Sequence, residues 1–119
     1  MPKVLVVEDD NDLRFIYNSA LSRQGLDVVA VSNTVEALLH LTNQDFDVIL
    51  LDMNMPDMPG LKLVEFAHDD VRLRHVPIIV VSATEQWRAQ VTPLGVRHFM
   101  VKPVTMYEVI ERVNEVLKK

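Results

Sequence analysis

Chemistry could concentrate in four short stretches of this chain: "VLVVEDD", "DVILLDMNMPDMPG", "PIIVVSA" and "VKP". They carry Glu8, Asp9 and Asp10, then Asp52, then Ser82, then Lys102. Each residue stands where an apolar, strand-like run ends. If the first and third runs are neighbours in a sheet, the carboxylates of Glu8, Asp9 and Asp52 converge in one crevice. Two like charges about 4 Å apart repel by roughly 4 kcal/mol at an effective dielectric near 20. Such a cluster must protonate, pair with a base or bind a cation. There is no cysteine, and the four histidines, at 40, 68, 75 and 98, are scattered. An all-oxygen donor set points to a hard cation, and a few carboxylates with waters and a backbone carbonyl suit Mg²⁺ better than a full Ca²⁺ cage.

With Mg²⁺ beside it, Asp52 is a candidate nucleophile toward phosphorus, giving an acyl phosphate. Lys102 could pair with a phosphoryl oxygen as a point charge, and Ser82 could donate a hydroxyl proton to another. Each residue also has a plainer reading. Acids at the start of a helix favour the positive end of its dipole, so "EDD" could be a cap, with Asp10 or Asn11 as the capping residue. A strand-end serine can cap a helix, and a lysine before proline can be a solvated loop residue. Capping does not explain chemically matched residues at four different strand ends.

The elements that would position these residues are legible as five β-branched runs: 4–7, 27–31, 46–51, 77–82 and 98–102. Most are continuously apolar, which suits parallel strands covered on both faces. Helical patterns lie between them. Leu13, Ile16, Tyr17, Ala20 and Leu21 keep helical spacing, and Gly25 stands where that helix would stop. A second helix starts at Asn33, with Glu36 as its capping partner, and carries Leu38 and Leu41. A third begins near Gly60 with Leu61, Val64, Phe66 and Ala67. The last has Thr105 and Glu108 as a capping box and a stripe of Val109, Ile110, Val113, Val116 and Leu117. Segment 84–93 is the weakest helix, with Trp87 and Val91 as apolar contacts and Pro93 limiting its end. This is a βα unit repeated five times, so the expected fold is α/β: a doubly wound five-stranded parallel sheet of flavodoxin-like order 2-1-3-4-5. Ligands in such sheets bind at the carboxyl ends of the strands, near the switch point between strands 1 and 3.

Composition sets the outer bounds. The chain has 119 residues, 49% hydrophobic and 24% charged, enough for one domain with a real core. A net charge of -5 argues against direct nucleic-acid binding by this domain. No signal segment or long apolar run is evident, so a cytoplasmic protein without membrane attachment is expected.

Together these four stretches closely resemble the receiver domain of two-component response regulators, the CheY-like superfamily, along the whole chain (1–119, one domain). The resemblance implies a role for each matching residue. Asp52 is the phosphoacceptor. Asp9 is a direct Mg²⁺ ligand, Asp52 belongs to the metal set as well, Glu8 acts through water, and Asn54 offers its backbone carbonyl to the metal. Ser82 and Lys102 contact the phosphoryl group. Ser82 and Phe99 are switch residues, and the Lys102–Pro103 bond is cis. A histidine kinase or a histidine phosphotransfer protein donates the phosphoryl group in a phosphorelay. The α4-β5-α5 surface then changes and controls a protein target or a C-terminal output domain. A phosphorylation-dependent homodimer is compatible with this picture. The expected molecule is a signalling switch, not a metabolic enzyme, that catalyses its own phosphorylation and dephosphorylation. Asn54 and Thr84 lie where the family tunes hydrolysis, and Met55 and Met58 are either kinase contacts or gap-fillers. The rigid "MPDMPG" loop turns the chain away from Asp52, with Gly60 supplying unusual dihedrals.

Two departures stand out. The segment "PLGVRHF" replaces the small residues usual before the fifth strand, and the span from Ser82 to Phe99 is short, so the fourth helix should be short, shifted or mobile. Phe99 also lacks the hydroxyl of a tyrosine switch. Three other functions compete. A phosphatase of the haloacid dehalogenase kind would place its nucleophile after the first strand. A flavodoxin-like carrier would not put "EDDND" against a phosphate. A receiver-like scaffold acting without phosphorylation would not need the complete site.

Overall fold

The computed structural model describes residues 1–53 and 60–118. Five strands form one sheet in the order β2-β1-β3-β4-β5: β1 (Lys3–Val7), β2 (Asp27–Val31), β3 (Val48–Asp52), β4 (Ile78–Ser82) and β5 (His98–Val101). All four pairings are parallel. The connecting helices are α1 (Asn11–Arg23), α2 (Thr34–Asn43), α3 (Gly60–Asp69) and α4 (Arg88–Val91), and α5 (Met106–Leu117) follows β5. The expected doubly wound α/β sheet and its order are what is found.

The pleat divides the core in two. Leu5, Val7, Ile49, Leu51 and Val80 face one side, where Ala37, Leu41, Leu63, Val64 and Ala67 from α2 and α3 cover them. Val4, Val6, Leu50, Ile79 and Val81 face the other, under Tyr17 and Leu21 of α1 and Val109, Val113 and Val116 of α5. Both faces of β3 and β4 are therefore dry, which is why their sequences are continuously apolar. β2 is an edge strand and only its last residue, Val31, is buried.

Helix ends follow local chemistry. Asp10 caps α1 by accepting from the Leu13 N–H at 2.9 Å, so the cap reading of this residue holds beside its acidic neighbours. Asn33 caps α2 through the Glu36 N–H, and Thr105 with Glu108 closes a capping box on α5. Gly25, at φ +84°, ends α1 in the left-handed region that favours glycine.

Some boundaries differ from the sequence pattern. β3 starts at Val48 rather than 46 and runs through Asp52, while Phe46 is buried ahead of the strand. Lys102 falls just beyond β5. Ile16 and Phe66 keep helical spacing but stand exposed, because the stripes that reach the sheet are narrower; on α3 it is Leu63, with the expected Val64 and Ala67, that is buried. The fourth helix is short: α4 is one turn, followed by a 3₁₀ turn over Thr92–Leu94. Pro93 has no N–H for a continued α-helix, and Thr92 turns its hydroxyl onto the Arg88 carbonyl at 2.7 Å. Val91, buried, and the half-buried Trp87 and Leu94 tie this segment to the core. Among the described residues no helix is long and apolar enough to cross a membrane.

Candidate functional site

The site lies where β1 and β3 deliver their carboxyl ends side by side. Val7 pairs with Leu51, so Glu8 and Asp52 are the next residues out of adjoining strands. Glu8 stays hydrogen-bonded toward β2, its N–H donating to the Val31 carbonyl at 3.1 Å. Arg14, one turn into α1, donates to the carbonyls of Glu8 (2.9 Å) and Asp9 (3.4 Å) and fixes the acidic loop from above. One carboxylate oxygen from each of Glu8, Asp9 and Asp52 falls within a 4.8 Å cluster. Glu8 and Asp52 are buried, while Asp9 is exposed to solvent.

Glu8 shows the electrostatic strain of this arrangement. Its Oε2 accepts from the Asp10 N–H at 3.1 Å, but Oε1 is buried and has no donor among the described residues. Burial first, then the hydrogen bond and negative charge of Asp52, push its pKa up to about 8, against the opposing pull of the Asp10 N–H and Lys102. A protonated Glu8 donates to Asp52, whereas an ionised one leaves a buried oxygen wanting a cation. The same two carboxyls, after burial itself, raise the pKa of Tyr17 beneath them.

β4 and β5 supply the other wall. Ser82, fully buried at the end of β4, accepts the Thr84 N–H on its hydroxyl oxygen at 3.1 Å, leaving the hydroxyl proton to donate elsewhere. Lys102 is placed by its own N–H, which donates to the Ser82 carbonyl at 2.8 Å, and its Nζ reaches Asp52 Oδ2 at 3.3 Å. The Lys102–Pro103 peptide is cis. Phe99 is buried three residues before Lys102, its ring facing the α2–α3 core.

The candidates Glu8, Asp9, Asp52 and Lys102 are thus brought together, with Ser82 one strand away from Asp52. Asn54, Met55 and Met58 lie outside the described residues. Gly60 is needed for a different reason than dihedral freedom. Its φ is not in the left-handed region, but a Cβ there would sit 3.2 Å from the Asp52 carbonyl oxygen and 3.1 Å from the Met53 sulfur. The start of α3 packs directly on the end of β3, which holds Asp52 from behind.

Two contributors escape motif reading. Arg14 matters through backbone carbonyls, which leave no sequence signature beyond its place one turn after the acids. Arg88 lays its guanidinium over the Phe99 ring, 4.6 Å from the centroid, and is held there by Glu85 through two hydrogen bonds of 2.7 and 3.2 Å. The pair Glu85–Arg88 has i, i+3 spacing, but nothing in the sequence says that it lands on Phe99.

The donor set is all oxygen, partly buried, and includes an orphaned carboxylate atom, so it fits a hard divalent cation such as Mg²⁺.

Known proteins agree with this geometry. The chemotaxis protein CheY1 of Helicobacter pylori is 41% identical over 120 residues, covering 97% of this chain and 96% of that protein. The chemotaxis protein CheY of Pseudomonas aeruginosa is 31% identical across 98% of this chain and 97% of its own. Among solved structures, Vibrio cholerae CheY4 superposes with a TM-score of 0.91 at 27% identity, covering 98% and 99% of the two chains. The response regulator TrrA of Thermotoga maritima, in complex with Mg²⁺ and BeF, superposes with a TM-score of 0.87 at 25% identity over 98% and 100%. The family model of the response regulator receiver domain matches residues 4–114. With the fold, the acidic crevice and these relatives in agreement, the chain belongs to the response regulator receiver domains of two-component signalling.

Proposed function

We propose that this chain is a phosphorylation-controlled switch in which Asp52 accepts a phosphoryl group from a phosphohistidine of a histidine kinase or phosphotransfer protein. The observation that carries the reading is the cluster of Glu8, Asp9 and Asp52 with Lys102 Nζ 3.3 Å from the Asp52 carboxylate. An Asp52 oxygen attacks phosphorus, the O–P bond forms as the P–N bond breaks, and the donor imidazole leaves with the bond's electron pair. The negative charge on Asp52 is what makes it a nucleophile, and Lys102 holds that carboxylate aimed while it is idle. Glu8 and Asp9, with the Asn54 carbonyl, would hold Mg²⁺, which when bound offsets negative charge on the transferring oxygens.

After transfer the acyl phosphate carries roughly -1.5 to -2 charges and new acceptor oxygens. Lys102 exchanges its carboxylate partner for a phosphoryl oxygen, and the Ser82 hydroxyl donates to another. What supports both contacts is that Ser82 ends β4 and Lys102 directly follows β5, with Lys102 Nζ 3.3 Å from Asp52. The pull on Ser82 and Lys102 is felt by Phe99 and the segment around α4, so the α4-β5-α5 surface is the one that changes toward a protein target or output domain. A switch from 1:99 to 99:1 needs about 5.5 kcal/mol of differential stabilisation, within reach of a few charge-assisted contacts.

The test is intact mass after incubation with acetyl phosphate, with and without Mg²⁺, beside Asp52→Asn. One added phosphoryl group that requires Mg²⁺ and is lost in the variant is expected. An adduct that persists in Asp52→Asn, or no adduct with wild type, would sink the phosphoacceptor reading.

A further inference from the structure

At the end of the sheet opposite Asp52, the amino ends of β4 and β5 open into a cavity of about 640 Å³. Arg74 and His75 reach it from the turn before β4, and Arg97 and His98 from the start of β5. In a chain with net charge -5, this is a local concentration of cationic and N–H donor groups. Glu115 is the acid on its wall, and that carboxylate already faces Arg112 at 3.7 Å.

The arginines separate into those that are accounted for and those that are not. Arg14, Arg72, Arg88 and Arg112 each meet a carbonyl or carboxylate oxygen. Arg23 stands in the last turn of α1, where the carbonyl end of the helix favours a cation. Arg74 and Arg97 have neither a helix end to serve nor any side-chain hydrogen bond or ion pair among the described residues. Both line the same cavity. A guanidinium is built for bidentate bonds to carboxylate or phosphate; Glu115 on the same cavity is turned to Arg112, so the guanidinium groups of Arg74 and Arg97 are left for an anion from outside. The remaining surface is apolar: Pro77, Ile78 and Val116 form a wall without hydrogen-bonding side chains. The volume lies within the usual range of small-molecule sites, roughly 300–1,000 Å³.

We propose that this cavity binds a small phosphate monoester with a planar apolar body, the chemistry of a mononucleotide. Arg74 and Arg97 take the phosphate, the His75 ring offers a further N–H donor, and the body lies on Pro77, Ile78 and Val116. This proposal is independent of the phosphoacceptor reading, because no residue is shared between the two ends of the sheet.

The test is a titration of the full chain with AMP, in EDTA so that no metal recruits the nucleotide to Asp52. The imidazole proton resonances of His75 and His98 are followed by NMR, with His40 and His68 as internal controls. Saturable shifts of the first two, weakened at least tenfold in the double variant Arg74→Gln/Arg97→Gln, are expected. Adenosine should give no comparable shift, and inorganic phosphate should bind more weakly than AMP. The double variant should still be phosphorylated on Asp52, which shows that it folds. The proposal is overturned by an absence of saturable shifts up to about 10 mM AMP, a range that already corresponds to negligible affinity. It is equally overturned if the double variant responds like wild type, if adenosine binds as well as AMP, or if phosphate alone matches it. A short RNA that shifts both histidines where AMP does not would replace the small ligand with a polymer.

Discussion

The two walls of the crevice are built on different terms. The β1–β3 wall is interior. Its strands are central, Glu8 and Asp52 are buried, and the loop is pinned by the Asp10 cap, the Arg14 contacts and the close approach of Gly60. The β4–β5 wall is peripheral on its β5 side, although β4 is buried along its whole length. It leans on an edge strand, a single-turn α4 and a surface pair of charges lying over Phe99. One wall keeps costly carboxylates in place, and its rigidity is the condition for that. The other is cheaper to rearrange, because α4 is a single turn and the cover over Phe99 is a surface side chain held by a surface ion pair. A switch needs both: a fixed place for chemistry and a loosely held place to register it.

The sharpest attack on this contrast is through pH, because the rigid wall carries an electrostatic penalty and the loose wall does not. Glu8 has its pKa raised from 4.5 to about 8. A carboxyl whose folded pKa lies above its unfolded value binds more protons in the folded state. Its contribution is present in full below the unfolded pKa and is lost as pH rises through the folded one. The metal-free protein should therefore lose stability between pH 4.5 and about 8, with a slope of up to about 1.4 kcal/mol per pH unit from this one group. Urea unfolding in EDTA at several pH values measures it. Glu8→Gln keeps a buried donor facing Asp52 and cannot ionise, so its profile should be flatter. In wild type, Mg²⁺ should restore the lost stability and release a proton on binding near neutral pH, read by calorimetry in buffers of different ionisation enthalpy. A profile identical in wild type and Glu8→Gln would mean that the buried wall stores no such penalty.

A smaller effect is expected from the packing that backs the same wall. Gly60→Ala puts a methyl group 3.1–3.2 Å from the Met53 sulfur, the Met53 Cα and the Asp52 carbonyl oxygen. Two of the three are backbone atoms, which give way poorly. Overpacking of this kind costs about 1–3 kcal/mol, visible in chemical unfolding. Because the strain falls on Asp52 itself, the rate of labelling by acetyl phosphate should drop as well. Unchanged stability and unchanged labelling would show that the α3–β3 contact yields freely.

How far the sequence carried this picture depends on the same contrast. The sheet order and the meeting of Glu8, Asp9, Asp52 and Lys102 were legible because strand ends in a doubly wound sheet are fixed by topology. Four motifs at those ends leave little freedom. Gly60 was noticed for the wrong reason, since a sequence cannot distinguish a glycine that needs positive φ from one that needs to touch its neighbour. Ile16 and Phe66 show the limit of helical periodicity: it gives a stripe, and only the sheet decides how wide the buried part is. A fourth helix that is short, shifted or mobile is legible in "PLGVRHF" and in the span from Ser82 to Phe99, and of these the structure shows the short one. What it leaves uncovered was not legible. The contact of Arg88 with Phe99 joins α4 to an edge strand through a surface side chain, and no pattern encodes it.

The subtlest expected effect tests the loose wall directly. Arg88 covers Phe99 and is itself held only by Glu85, both on the surface, so the unit resists little and excludes little water. Arg88→Ala should leave the thermal unfolding midpoint nearly unchanged, since Phe99 keeps its contacts with the core. It should nevertheless change how Phe99 divides its time between positions. The aromatic proton resonances of Phe99 report this, as does the fluorescence of Trp87, the only tryptophan and a half-buried neighbour of α4. If the guanidinium holds the ring in its resting place, unphosphorylated Arg88→Ala should move part of the way toward the spectrum that wild type shows with Mg²⁺ and beryllofluoride. Glu85→Ala, which frees Arg88 without removing it, should move a shorter distance in the same direction. Spectra that stay at the wild-type resting position in both variants would mean that Arg88 merely rests on Phe99. A marked loss of stability instead would mean that the wall described here as cheap to rearrange is held as firmly as the one that carries Asp52.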